Sequence, residues 1–414
     1  MRRVCWAAAV LTLLCPPVAA AGRRVSVGYR TPSALRGLDV VRRIDALHIA
    51  EVRVRDRAAE VRLGDRPGVR FVTRLVPRHD SGDPAFSGGG LATAEWQWTA
   101  SHADRVPSWV QRAASSIRIA VVDTGADLSV PSLAPKNATA WSVTTDSTSV
   151  RDQIGHGTFV ASLAAGASLG FGGDAQLMIV QANRGTAGFS DVDEADAIVW
   201  AVDHGANVVN LSIGGNQTSS VERAAIRYAI GKGVLLVAAA GNAALQGNPV
   251  QYPAALIGRD GLVVGAADKS GRRAAFSSTG SWVDLLAPGV DVVGAMPTGA
   301  STSTFFTPLA DTGYGVGSGT SYAAPEVAGA AALVWAAAPS LDAAGVAQTI
   351  EASASGAGTW SQELGFGDLD VAAAVQRALG GSPPAVVPPA SHAEVVVMKQ
   401  ARRAAAHAAG KRPH

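Results

Sequence analysis

Gly317-Ser318-Gly319-Thr320-Ser321-Tyr322-Ala323-Ala324-Pro325-Glu326-Val327-Ala328-Gly329-Ala330 decides how the rest of the chain is read. A glycine-rich turn delivers one serine, and a helix of small apolar residues starts directly behind it. Such a turn exposes a nucleophile and sets the positive end of a helix dipole beneath it. Pro325 is expected in the first turn of that helix, where a missing N–H is tolerated. Ala328, Gly329, Ala330 and Ala331 let the helix sit deep against a sheet. Alone, the stretch reads equally well as an ordinary buried Ala/Gly helix after a turn, so its meaning depends on what lies upstream.

Upstream, apolar strands alternate with amphipathic helices. Residues 117–122, 177–180, 208–212, 234–240 and 262–265 have strand character, while 158–165, 191–204 and 221–230 are helical. Strands that are apolar on both faces, separated by helices, predict an α/β domain: a mostly parallel sheet flanked by helices on both faces. Sites in such sheets lie at the C-terminal ends of the strands. Neither a dinucleotide fingerprint nor a phosphate-cradling loop stands where a strand meets a helix.

Asp123 ends the strand 117–122, in Val122-Asp123-Thr124-Gly125, and His156 sits in Gly155-His156-Gly157-Thr158 at the start of a helix. Each has a plain alternative, a turn-forming aspartate and a loop histidine. Residues 120–380 contain two histidines, His156 and His204, and His204-Gly205 reads as a helix C-terminus. Asp, His and Ser thus fall at strand tops, each in its own glycine-rich turn. A serine at neutral pH needs an imidazole to take its proton, and the imidazole needs a carboxylate to fix its tautomer and stabilise its charged form.

Val122-Asp123-Thr124-Gly125, Gly155-His156-Gly157-Thr158 and Gly319-Thr320-Ser321-Tyr322-Ala323-Ala324-Pro325 resemble the three catalytic signatures of the subtilisin-like serine peptidases. The chain order Asp, His, Ser is also that of subtilisin. Ala238-Ala239-Ala240-Gly241-Asn242 is similar to the segment carrying that family's oxyanion asparagine, and Asn210-Leu211-Ser212-Ile213-Gly214-Gly215 to the strand that pairs with substrate backbone. The resemblance covers roughly residues 117–376. It implies that Ser321 attacks the scissile carbonyl, that His156 is the base and then the acid, and that Asp123 orients His156. The side-chain amide of Asn242 and the N–H of Ser321 would receive the oxyanion, and Ser212, Ile213, Gly214 and Gly241 would bind an extended polypeptide substrate. The family often has histidines where Phe159 and Glu326 stand and a methionine where Tyr322 stands. Phe159 is expected to keep its helix packed, Tyr322 to alter the wall beside the nucleophile, and Glu326, in the first helical turn, to suit the dipole. No cofactor is required. A structural calcium ion is compatible with the sequence but not assignable: 166–174 is short where many relatives carry a calcium loop, and Asp127, Asp152 and Asp191 could serve a metal elsewhere but read by default as surface carboxylates.

The ends of the chain frame this body. The 414 residues are 48% apolar and only 16% charged, with 46 glycines, as expected of a large globular chain rich in tight turns. Arg2-Arg3, the apolar run Val4–Leu14 and Val18-Ala19-Ala20-Ala21 read as a signal peptide, 1–21, and predict a secreted product. Both cysteines, Cys5 and Cys15, lie within it, so the mature protein would hold no thiol. Residues 22–80 read as a small α+β module, which the resemblance implies is the family's propeptide. Residues 81–116 form a linker and N-terminal arm, 117–380 the peptidase domain, and 381–414 a flexible Pro/Ala-rich basic tail. The polar stretch from Arg78 to Gly90 is expected to be exposed and open to cleavage.

Charge is divided unevenly: residues 23–80 carry +7 and 81–380 carry −11. Opposite signs suggest that the leader binds the body, and an acidic body argues against nucleic acid as its partner. No later apolar run reaches the roughly 18 residues that span a bilayer. A monomeric, secreted serine endopeptidase made as a zymogen is the expectation. Its rivals are a non-catalytic relative that binds peptides, which would need a broken triad, and a serine esterase. The Gly-x-Ser-x-Gly elbow of the common esterase class is absent around Ser321.

Overall fold

The computed structural model describes residues 22–80, 96–185, 188–299, 305–309 and 313–380. The expected signal peptide with its cysteines, residues 81–95 of the expected linker and arm, and the basic tail lie outside these residues. The chain divides into two compact units, one comprising residues up to Arg43 and His48–Arg74, the other Ile44–Leu47 and everything from Leu75 onward. The division falls a few residues before the boundary expected at 80.

In the smaller unit, β1 (Arg23–Tyr29), β2 (Asp39–Ile44), β3 (Ile49–Val54) and β4 (Val69–Arg74) form a sheet of order β2-β3-β1-β4, with α1 (Arg57–Gly64) joining β3 to β4. β1 is antiparallel to both neighbours, with Val25 opposite Val52 and Val27 opposite Val72. Val25, Val27, Tyr29, Val52 and Leu63 fill its core. Asp56 caps α1 by accepting from the Ala59 N–H at 2.8 Å.

The larger unit is built on a seven-stranded sheet. Its strands β6 (Arg118–Asp123), β7 (Thr139–Ser142), β8 (Gln176–Gln181), β10 (Val208–Leu211), β12 (Leu235–Ala239), β13 (Gly261–Ala267) and β14 (Leu285–Pro288) lie in the order β14-β13-β12-β10-β6-β8-β7. Every pairing in it is parallel. Two small sheets join it: β11 (Ile213–Gly214), β5 (Pro77–Asp80) and β9 (Phe189–Ser190) in one, and β15 (Val292–Ala295), β17 (Tyr314–Gly317) and β16 (Thr307–Leu309) in the other. The expected α/β architecture is therefore present. The exposed linker expected from Arg78 is not found at its start, because β5 is the middle strand of its sheet and Arg78 is buried.

Helices cover both faces. α4 (His156–Ala165) and α8 (Thr320–Ala337) share one core with Ile119, Val121, Ile179 and Val237. The alternate residues Ala120, Val122, Val180 and Leu236 are equally buried on the other face, where α5 (Asp191–Asp203) and α6 (Ser220–Gly231) pack. α2 (Trp96–Ala100) and α3 (Ser108–Ala113), within the expected linker and arm, add Trp96 and Val110 to the first core. α7 (Ala254–Ile257), α9 (Ala343–Ser353) and α10 (Val371–Ala378) complete the unit.

Small side chains set the depth of α8, of which only Trp335 and Ala337 escape burial. A Cβ at Gly329 would stand 2.6 Å from Ala164 O, Gly172 N and Phe171 Cβ, so only glycine lets the helix approach this closely. Two expectations about α8 are corrected. It begins at Thr320, so Pro325 is its sixth residue and Glu326 its seventh, both beyond the first turn. Glu326 is fully buried, and burial pushes its carboxyl well above the ordinary range, which favours the neutral acid over a carboxylate on the dipole.

Candidate active site

The parallel strands deliver their C-terminal ends to one edge. Asp123 closes β6, Ser212 follows β10, and Gly241-Asn242 lie just past β12. The helices α4 and α8 begin there, with His156 first in one and Ser321 second in the other.

Asp123 Oδ1 is 2.8 Å from His156 Nδ1 and also accepts from the Thr124 N–H at 2.7 Å, so the carboxylate cannot rotate away. Both side chains are fully buried. The first turn of α4 is held by Asp152. Its Oδ1 accepts from Thr124 Oγ1 (2.9 Å), Ile154 N (3.1 Å) and Gly155 N (2.7 Å), and its Oδ2 accepts from Thr158 N (2.9 Å) and Thr158 Oγ1 (2.6 Å). Thr124 Oγ1 in turn accepts from Gly157 N at 2.8 Å, which ties the strand end of Asp123 to the helix start of His156. Gly157 has to be glycine, since a Cβ there would lie 2.2 Å from Gly125 O.

His156 is walled by aromatic rings. Phe305 lies 5.3 Å and Tyr322 5.7 Å from it, centroid to centroid, and Tyr322 is 4.4 Å from Phe159. Tyr322 is fully buried and donates its hydroxyl to Phe305 O at 2.8 Å, so it backs the histidine instead of forming a groove wall. Ser321 Oγ donates to Ser212 O at 3.4 Å, and Ser212 Oγ donates to Ser321 O at 2.7 Å. Asn242 is fixed by Thr320: both the N–H and the Oγ1 of Thr320 donate to Asn242 Oδ1 at 2.9 Å, and Thr320 Oγ1 accepts from Gly241 N at 3.1 Å. With its oxygen engaged, the amide presents its nitrogen away from Thr320. Asp123, His156, Ser321, Ser212, Gly241 and Asn242 therefore meet at one strand edge. His204, at the end of α5, bonds Trp200 O at 2.7 Å and takes no part.

Beside this centre β5 runs antiparallel to β11, with His79 opposite Gly214 and Asp80 opposite Ile213, and on its other side antiparallel to β9. Its Arg78 guanidinium reaches Glu194 and Glu222 at 2.7 Å each. Asp191 Oδ1 accepts from Val76 N at 2.9 Å.

Sequence reasoning missed Asp152, Thr320 and the two glutamates. Asp152 and Asp191, read as surface carboxylates, are buried because backbone and side-chain donors converge on them. The glutamates carried a signal. Glu194 is in phase with the buried Ala197, Ile198 and Ala201, and Glu222 with Ala225, Ile226 and Ala229. A charge on the apolar stripe of a helix calls for a buried partner. Among the described residues no three His, Cys, Asp or Glu side chains converge as a metal site.

The Peptidase S8 model, which describes the subtilase family, matches residues 114–367. Subtilisin amylosacchariticus of Bacillus subtilis subsp. amylosacchariticus is 32% identical over 275 residues, covering 63% of this chain and 66% of that protein. The chain thus spans just under two thirds of that relative's length. Subtilisin of Bacillus pumilus is 32% identical over 275 residues, covering 63% of this chain and 92% of that protein. Among solved structures, fervidolysin from Fervidobacterium pennivorans, described as a keratinolytic enzyme related to subtilisin, aligns with a TM-score of 0.71 at 24% identity. That alignment covers 88% of this chain and 62% of fervidolysin, and it speaks to the fold.

Proposed function

The chain belongs to the subtilase family, and from that premise we propose that it is a serine endopeptidase, secreted and made as a zymogen. The observation that carries this reading is the convergence of Asp123, His156 and Ser321 from β6, α4 and α8 at one strand edge. In this reading Ser321 Oγ attacks the scissile carbonyl, and His156 takes its proton and returns it to the leaving amine. Asp123, on His156 Nδ1, fixes the tautomer that leaves the other ring nitrogen as the base, and stabilises the imidazolium once formed. Asn242 and the Ser321 N–H receive the oxyanion, where preorganised donors act most strongly on the charge that develops in the transition state.

A polypeptide substrate would add as a strand along Ser212–Gly214, passing Gly241. The pairing of β5 with β11 supports this, since the chain's own segment lies on that edge as an antiparallel strand. The same observation supports residues 22–80 as a propeptide whose end occupies the groove, with maturation by cleavage beyond it. A monomer needing no cofactor and no nucleic acid suffices for this chemistry. Among the described residues no helix is long and apolar enough to cross a membrane.

The test compares the purified protein on casein and on a short-chain ester, with fluorophosphonate labelling alongside. Casein hydrolysis with labelling supports the peptidase. Labelling with ester turnover alone favours the esterase, and no labelling favours the non-catalytic binder.

A further inference from the structure

The middle strand of the three-stranded sheet carries Arg78 into a pocket closed by α5 and α6. Its Nε donates to Glu194 Oε2 at 2.7 Å, Nη2 lies 2.7 Å from Glu222 Oε1, and Nη1 donates to the Gln217 carbonyl at 3.2 Å. The side chains of Arg78, Glu194 and Glu222 are fully buried. Burial is the largest influence on both glutamates and raises them, while Arg78 draws them back toward the charged form. Without a cation the pocket would hold two buried carboxylates facing each other, an arrangement that is strongly disfavoured. The pocket is therefore built around a guanidinium. A planar fork meets three acceptors in different directions, which a single ammonium cannot do.

The pairing register locates this pocket relative to the reacting serine. Arg78 is opposite Phe189, His79 opposite Gly214 and Asp80 opposite Ile213. A bound strand that keeps this register presents its next residue to Ser212, whose carbonyl and hydroxyl both contact Ser321. The residue in the pocket is then the fourth, counting back from the residue presented to Ser321.

We propose that Glu194 and Glu222 form a specificity subsite that selects arginine as the fourth residue before the scissile bond, in polypeptide substrates as well as in the chain's own β5. This rests on the peptidase reading above and adds a substrate class to it: peptides with one arginine at a fixed distance from the cleaved bond. Charge-assisted hydrogen bonds in a buried site distinguish their partner from a truncated one by about 10- to 100-fold.

The experiment measures kcat/KM of the purified protein on internally quenched peptides that differ only at that position, with Arg, Lys or Ala. The expected order is Arg above Lys above Ala, with Arg at least about tenfold over Ala. Glu222→Gln, and separately Glu194→Gln, should shrink the Arg-to-Ala ratio toward one, with folding checked by thermal unfolding. Equal kcat/KM for Arg and Ala peptides in the unmodified protein overturns the proposal without recourse to any variant, as does a ratio that survives both substitutions. A second readout needs no turnover: binding of a synthetic peptide of residues 75–80, with Arg or Ala at position 78, to the same protein. Arg-dependent binding without any cleavage would refute the peptidase reading while the pocket stands. Equal binding of the two peptides would refute the pocket.

Discussion

Ser212 Oγ donates a 2.7 Å hydrogen bond to the main-chain carbonyl of Ser321. Pro325 explains why that carbonyl is available. It stands four residues further along α8 and has no N–H, so the intrahelical bond that Ser321 O would normally accept is missing. Ser212, which stands between β10 and β11, supplies the replacement, and the turn that carries Ser321 is thereby fastened to the edge that pairs with β5.

Removing that donor takes away the hydrogen bond that Ser212 gives the main-chain carbonyl of Ser321. Ser212→Ala is expected to destabilise the protein by about 1–2 kcal/mol and to lower kcat. Restoring an N–H at the other end should offset the loss, so Ser212→Ala/Pro325→Ala should be more stable than Ser212→Ala alone. Thermal unfolding of the set measures this coupling, and a double variant that is no more stable than the single one would argue against it.

Asn242→Ala should lower kcat far more than it changes KM, because in the proposed mechanism the amide meets an oxyanion that exists only near the transition state. Loss of one such donor costs about 10²–10³ in kcat, a figure that comes from subtilisin, a relative of this chain. Steady-state kinetics on a peptide substrate distinguish this outcome from a pure rise in KM, which would move Asn242 to ground-state binding.

Asp152 touches none of the reacting atoms, yet it anchors the turn that carries His156. Asp152→Ala removes acceptors for Thr124, Ile154, Gly155 and Thr158 together. Loss of a cap and of a buried network together should cost about 2–4 kcal/mol. In protein that remains folded, kcat should fall while KM holds. An Asp152→Ala variant with an unchanged melting temperature and kcat would show that α4 keeps its start without this carboxylate.

Glu326 gives a pH signature of stability. Burial raises its folded-state carboxyl well above the ordinary glutamate value of about 4.5. The folded protein therefore holds a proton that the unfolded chain has already released, and stability falls as pH rises from about 4.5 toward the folded pKa. Glu326→Gln removes that dependence, so its stability advantage should widen between pH 5 and pH 8. Denaturant unfolding at the two pH values reads the difference, and parallel behaviour of both proteins would show that Glu326 is charged and paired.

Much of this was legible in the sequence because periodicity and glycine placement are local signals. The strands 117–122 and 208–212 are apolar on both faces, and Asp123, His156, Ser321 and Asn242 each stand in a turn that announces itself. What was not legible depended on distant partners. Arg78 sits in a polar run and reads as solvent-exposed, and only the approach of Glu194 and Glu222 from two helices makes it a buried residue. Asp152 reads as a surface carboxylate until the fold brings Thr124 to it from β6. Pro325 reads as a first-turn residue because the start of a helix after glycines is poorly marked by sequence.

The proposed chemistry depends most directly on Ser321 as the nucleophile. Fluorophosphonate labelling of the purified protein, mapped by peptide mass spectrometry, is expected to place one adduct on Ser321 and to abolish casein hydrolysis in proportion to labelling. Ser321→Ala should fold, take no label and lose about 10⁶ in kcat, as removal of a triad serine does. An adduct on a different residue, or a folded Ser321→Ala protein that still hydrolyses casein at a comparable rate, would contradict it.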